Sequence, residues 1–243
     1  MSHKAIVIWT AALALAGCQQ PANTYLVKHI ANASIQIDGR LTEAAWQKAR
    51  LLTDFRDPWA GGGEPTGFRA FVDGENLYFA FVCAEATPRI SNEWKGKKTL
   101  DSEDRVEIYF ALDDKLEKYY CIEIDPEGRV HDFAGAIPRK WDDSWSMPGL
   151  KTAGTTRKVL TYKTVADEYI VEGSIPLAAL EALGLPPLKS GQAWRVGLFR
   201  ADLGLAGPKS DRWITWIVPS SAKPNFHTPS AFGSFRIDRG WGL

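Results

Sequence analysis

The chain lacks a surplus of either charge: 29 Lys and Arg stand against 29 Asp and Glu. Neutralising phosphates needs an excess of basic side chains, so nucleic acid is excluded as a partner class. It also lacks the apolar-poor, highly charged composition of a disordered chain, since 45% of its residues are hydrophobic. Long apolar runs are absent except for Ala5 to Ala16 at the N-terminus, broken by Thr10. A multi-span membrane protein is thereby excluded. No Gly-x-Ser-x-Gly, His-Glu-x-x-His or phosphate loop occurs, and an enzyme is not expected. Methionine is scarce, at 2, and cysteine numbers 3. Against these, tryptophan is abundant, at 10. That count points to a β-rich protein, a sugar-facing surface, or both.

Lys4, the apolar run and then Leu15-Ala16-Gly17-Cys18 read as a secretory leader rather than a spanning helix. Cys directly after Leu-Ala-Gly resembles a bacterial lipoprotein lipobox. The resemblance implies cleavage that leaves residues 1–17 as signal peptide, and lipidation of the Cys18 thiol. Gln19 and Gln20 follow, with no Asp to favour inner-membrane retention, so the expected location is the outer membrane of a bacterial envelope. Several lipid chains anchor stably, because each buried CH₂ contributes about 0.8 kcal/mol. Residues 18–29 are read as lipidated Cys and tether, and 30–243 as the folded domain. Cys83 and Cys121 fall in separate expected strands. A disulfide is open to them, but two buried free thiols is the preferred reading.

Strand signals dominate the mature chain. Ile35 to Gly39 reads as a strand and turn, and Thr42 to Ala49 as a short helix. Phe68 to Val72 and Leu77 to Cys83 flank Asp73-Gly74, a hairpin signature. In Arg105 to Leu112, Val106, Ile108 and Phe110 point one way, Glu107 and Tyr109 the other. In Tyr119 to Ile124, Tyr120, Ile122 and Ile124 oppose Tyr119, Cys121 and Glu123. Arg129 to Phe133, a pair at Lys158 to Val165 and Glu168 to Ser174, Ala193 to Arg200 and Ala231 to Ile237 complete the strands. A second short helix is expected from Pro176 to Leu183. The pattern predicts one all-β domain, an antiparallel β-sandwich with one or two short helices.

Six segments carry a resemblance. They are Ile37-Asp38-Gly39 with Glu43-Ala44-Ala45-Trp46; Phe71-Val72-Asp73 with Leu77 to Phe81; Asp104 to Phe110; Glu172 to Pro176 with Leu180; Gly191, Trp194 and Phe199-Arg200; and Phe226-His227-x-Pro229-x-x-Phe232-Gly233. In this order they resemble the family 9 carbohydrate-binding modules, over roughly residues 30–237. The resemblance implies a β-sandwich that binds sugar without catalysis, with two Trp rings clamping a terminal unit. The partner would be an oligo- or polysaccharide, with a glycan-processing enzyme or transporter downstream.

Sugar binding needs flat aromatic faces and a few polar groups. Trp94, between Asn92-Glu93 and Lys95-Gly96, is the first expected wall. Trp213 and Trp216 sit three apart, so one faces the core; the resemblance favours Trp216 as the second wall. Trp141 and Trp145, in a polar stretch, compete for stacking. Trp46 and Trp194 fit core positions; Trp59 and Trp241 are unassigned. If their strands adjoin, Arg69, Glu107, Tyr109 and Glu123 share one charged face that contacts hydroxyls. Arg129, Arg200 and His131 are weaker additions. Relatives carry an Arg-x-Asn-like pair where this chain has Cys121-Ile122-Glu123, a departure at a sugar-contacting position. Asp101, Glu103 and Asp104 are the expected ligands of a structural calcium ion. Two alternatives from other classes remain. One is a haem or redox sandwich using Met147 with His227, His131 or His29. The other is an adhesion or assembly lipoprotein without sugar binding.

Overall fold

Alternation along the strands builds the architecture. The computed structural model describes residues 23–160, 165–189, 191–204 and 207–238. In β4 (Arg105–Ala111) and β5 (Tyr119–Ile124), Val106, Ile108, Phe110, Ile122 and Ile124 all enter one core cluster. Tyr109, Tyr119 and Cys121 enter a second cluster on the opposite face. The main cluster is aromatic-rich: Phe68 and Phe81 meet edge to face with ring centres 4.9 Å apart, a favoured geometry.

The remaining strands are β1 (Thr24–His29), β2 (Thr66–Val72), β3 (Asn76–Ala84), β6 (Val130–Ala136), β7 (Lys140–Asp142), β8 (Lys151–Leu160), β9 (Val165–Pro176), β10 (Ala193–Asp202), β11 (Arg212–Thr215) and β12 (Gly233–Ile237). They run in the order β7-β6-β5-β4-β10-β12-β1-β2-β3-β9-β8, with β11 beside β10. β1 is the joint between two sheets. Its first half pairs with β12 and its last two residues pair with β2, both in parallel. The other pairings are antiparallel. The all-β sandwich expected from the sequence is therefore present, with two parallel contacts at its hinge strand.

Three expectations about elements need correction. Thr24–His29 is not tether but strand, with Tyr25 and Val27 fully buried and the Tyr25 hydroxyl donating to the Arg50 carbonyl at 2.6 Å. Ile35 to Gly39 forms no strand. It is a loop held because Glu172 on β9 accepts the Asp38 and Gly39 N–H groups at 2.9 and 2.8 Å. The hairpin near residue 160 starts earlier, at Lys151, and residues 161–164 lie outside the described residues. Helix α1 (Ala44–Lys48) presses Trp46 onto Phe71, and the Trp46 indole N–H donates to Glu172. Helix α2 (Leu177–Ala182) buries Leu180 at the end of β9.

Cys83 and Cys121 are both free and buried. They point into different clusters, Cys83 between the sheets and Cys121 on the far face of β5, so no bridge joins them. The sequence preference for free thiols is borne out.

Candidate functional site

β4 and β5 pair so that Glu107 stands opposite Glu123 and Tyr109 opposite Cys121. Their outer face would be solvated if nothing covered it. Instead the chain after β11 folds back across it. Phe226 stacks on Phe199 of β10 at 4.3 Å, and the His227 ring stacks on Tyr109 at 5.3 Å. Between this cover and the strands lies a small open cleft. Its floor is Arg105, Glu107, Tyr109 and Glu123; its walls are Trp213, Phe226, His227, Arg139, Pro224 and Asn225.

The floor is a closed polar network. Arg105 Nε donates to Glu107 Oε1 at 2.8 Å and lies 3.1 Å from Glu123 Oε2. The Tyr109 hydroxyl lies 2.6 Å from Glu107 Oε2 and 3.1 Å from Glu123 Oε1. Two glutamates thus share one guanidinium and one phenol. Burial, then the Glu123 charge, raises the Glu107 carboxyl above its ordinary range. Burial likewise raises the Tyr109 phenol. Burial opposes the Arg105 charge, but the two glutamates more than offset it and hold the guanidinium charged. The network is fully buried or nearly so, which fixes it in one arrangement.

The walls are apolar, with donors along the rim. Trp213 packs edge to face on Phe226 at 5.7 Å, and the Arg105 guanidinium lies 5.9 Å from its ring centre. Asp57 positions it by accepting the Trp213 N–H at 3.2 Å. His227 Nδ1 is 3.0 Å from the Tyr119 hydroxyl. Burial, followed by the charges of Arg139 and Arg105, brings His227 down to about 4, so it is neutral at ordinary pH. Trp59 packs on Phe226 at 6.3 Å.

The structure sorts the residues expected from the sequence. Glu107, Tyr109 and Glu123 do share a face and form the cleft floor. Arg69 does not join them. It lies on the other sheet, where it donates to the carbonyls of Trp46 and Ala49 and fastens α1. Trp216 is 3% exposed and sits in the main core over Gly233, where a Cβ would meet its ring at 2.6 Å. It is not a free wall; Trp213, its neighbour in β11, has that place. Trp145 packs its ring on Tyr120 at 4.8 Å beside the main core, away from the cleft. Trp141 is 48% exposed and its ring centre lies 5.2 Å from that of His227, so it borders the cleft. Trp94 is 42% exposed but does not line the cleft. Arg129 covers its ring at 5.2 Å, and Arg129 in turn pairs with Glu103 beside Arg105. Trp46 and Trp194 are core, as expected. Trp241 and Cys18 lie outside the described residues.

The three expected calcium ligands point apart. Glu103 takes Arg129 and the Ser91 N–H; Asp104 accepts from the Arg89 and Leu203 N–H groups; Asp101 faces His131. They do not form one cation site. The redox alternative fares no better in geometry. Met147 is buried between the sheets, whereas His131 lies on β6 beside Glu123 and His227 lies in the cover over the outer face.

Sequence reasoning missed Arg105, Trp213, Arg139, Asn225, Phe226 and His227 as one site. Arg105 had a readable signal, since it alternates in phase with Glu107 and Tyr109. The covering loop had none, because its position depends on tertiary contacts.

Comparisons with known proteins follow the same outline. A candidate carbohydrate-binding protein of Bacteroides uniformis ATCC 8492 superposes with TM-score 0.66 at 15% identity, covering 89% of this chain and 99% of that one. A family 9 carbohydrate-binding module from Caldicellulosiruptor kristjanssonii, in complex with glucose, superposes with TM-score 0.57 at 16% identity, covering 88% and 95%. The same kind of module in complex with cellotriose gives 0.55 at 15% identity, covering 90% and 97%. At these identities the likeness establishes the fold. No curated protein matches. The model of the carbohydrate family 9 binding domain-like family matches residues 37–239, most of the chain, and the protein belongs to that family.

Proposed function

We propose that the protein binds a glycan, without catalysis, in the cleft over β4 and β5. The observation that carries this reading is the cleft itself: a prearranged Arg–Glu–Glu–Tyr floor beneath aromatic walls. Trp213 offers an apolar face to the C–H side of a sugar ring, and Asn225 and Arg139 offer donors and acceptors to its hydroxyls. A cleft this small suits one terminal unit rather than a long chain segment. Trp141, beside His227, extends the aromatic surface at the rim. That two structural relatives hold glucose and cellotriose agrees with this ligand class.

The paired glutamates argue for binding rather than hydrolysis. All four carboxylate oxygens are engaged by Arg105 or Tyr109, which leaves neither glutamate free as an acid or nucleophile. A glycan array followed by calorimetry tests the reading. Saturable binding that Trp213→Ala weakens about tenfold or more, equivalent to about 1.4 kcal/mol, is expected. Folded protein that binds no glycan would refute it.

We further infer that Cys18 carries lipid and holds the domain to the outer membrane, with a glycan-processing enzyme or transporter receiving the sugar. The support is the Leu15-Ala16-Gly17-Cys18 pattern. Among the described residues no helix is long and apolar enough to cross a membrane. Cys18→Ser should release the protein from membrane fractions; unchanged retention would contradict lipidation.

A further inference from the structure

Beside the cleft floor, His131 presents an arrangement that the sugar site does not use. Its side chain is 6% exposed. Its Nε2 lies 3.2 Å from Asp143 Oδ1, which makes Nε2 the protonated nitrogen. Nδ1 faces two further carboxylates, Asp101 Oδ1 at 3.3 Å and Glu123 Oε2 at 3.8 Å. Burial opposes a second proton on the ring, but the three acids together outweigh it and raise the affinity of the ring for one. Nδ1 is buried and finds no hydrogen-bond partner among the described residues. Positive charge must sit between Nδ1 and these two anions, and a second ring proton and a bound cation compete for that place. The nearby ammonium groups are engaged elsewhere, Lys97 on Asp132 at 2.6 Å and Lys98 on Asp143 at 3.0 Å. Arg105 is already shared between Glu107 and Glu123.

We propose that Asp101, Glu123 and His131 form a binding site for one divalent transition-metal ion of the zinc type. One donor atom from each lies within 4.8 Å of the others. A tetrahedral zinc ion with ligand bonds of about 2.0–2.1 Å sets its ligand atoms about 3.3 Å apart, close to the two separations above. The donor set, one imidazole and two carboxylates, is borderline rather than hard, and it favours zinc over calcium. Asp143 on the far nitrogen completes the carboxylate–histidine–metal arrangement that orients such ligands. Asp101 brings the third ligand from the 3-10 turn Lys97–Ser102, which packs on β6. Its side chain is 60% exposed, which gives the ion an entry path and leaves a fourth position for water. Because Glu123 also belongs to the cleft floor, the ion would tie the turn to that floor.

The test is zinc titration of the purified, chelator-stripped chain by calorimetry, with X-ray absorption of the loaded protein. One zinc per chain is expected, with a single imidazole among oxygen ligands. Asp101→Asn and His131→Gln should abolish stoichiometric uptake, and Asp143→Asn should weaken it about 10- to 100-fold. Asp101→Asn keeps the test valid should the buried His131 variant fail to fold. Trp213→Ala should retain zinc while binding glycan more weakly, so failure of the metal site and failure of the sugar reading are distinguishable. Folded protein that takes up neither zinc, manganese nor nickel overturns the proposal. So does uptake that survives both ligand variants, or a metal-free His131 shown by NMR to be a stable imidazolium.

Discussion

At the scale of single residues, Arg105 explains why an acidic floor survives burial. One guanidinium, anchored also on the Leu100 carbonyl, faces both glutamates, so neither is an unpaired buried charge. Tryptophan roles separate as sharply. Trp213→Ala should weaken glycan binding and cost less stability than a core truncation, because its half-buried ring packs on Phe226 at the cleft wall. Trp216→Ala should do the reverse in origin, costing about 3–5 kcal/mol of stability by opening a core cavity. Thermal melts alongside binding isotherms check both; a stable, non-binding Trp216→Ala would restore Trp216 as a wall. Asp104 supplies a pH prediction. Burial raises its carboxyl to about 6, while the Arg89 and Leu203 N–H groups partly counter this and Asp202 adds to it. The unfolded chain titrates near 3.9. The native state therefore binds the proton more tightly. The stability from this group is fully present below about pH 4 and is lost as pH rises through about 6. Asp104→Asn, which does not ionise, should flatten the decline in melting temperature across that window. An unchanged slope would assign the decline elsewhere.

At the scale of elements, the alternation of β4 and β5 was legible because side-chain direction has a period of two whatever the neighbours are. Glu107, Tyr109 and Glu123 could therefore be placed together from the sequence. Arg69 alternates in the same way, yet alternation does not say which sheet a strand joins. β2 pairs with β1 and β3, on the other side of the joint strand, and Arg69 went with it. The Trp213–Trp216 pair shows the same limit. Spacing says that the two diverge, and only the pairing of β11 with β10, Trp213 opposite Ala201, decides which one faces out. β6 carries a further constraint. A Cβ on Gly135 would come within 2.5 Å of the Tyr119 ring, whose hydroxyl meets His227. Gly135→Ala should push that ring aside, cost about 1–3 kcal/mol and loosen the cover over the cleft. Chemical denaturation, with hydrogen exchange across residues 224–232, measures both effects. Unaltered protection in that loop would detach it from Tyr119.

At the scale of the whole molecule, β1 decides cohesion. It closes β12 on one side and β2 on the other, and it buries Tyr25 and Val27 in the main core. A chain starting at residue 30 leaves two strand edges open and should aggregate or unfold, whereas one starting at residue 23 should melt cooperatively. Circular dichroism melts of the two truncations check this, and a cooperative melt of the shorter one would return residues 23–29 to the tether. The family segments also acquire a physical role at this scale. Asp38-Gly39, Trp46 and Glu172 are far apart in sequence, and they meet as three donors on one buried carboxylate. What the sequence determined alone was local: the strand periodicities and the turn chemistry. Each depends on neighbours a few residues away. What only the tertiary structure decided was which faces adjoin, which tryptophan is wall and which is core, and where Arg105 finds its two glutamates. Those outcomes depend on strand pairing and loop return across long separations, where a single step of register exchanges inside for outside.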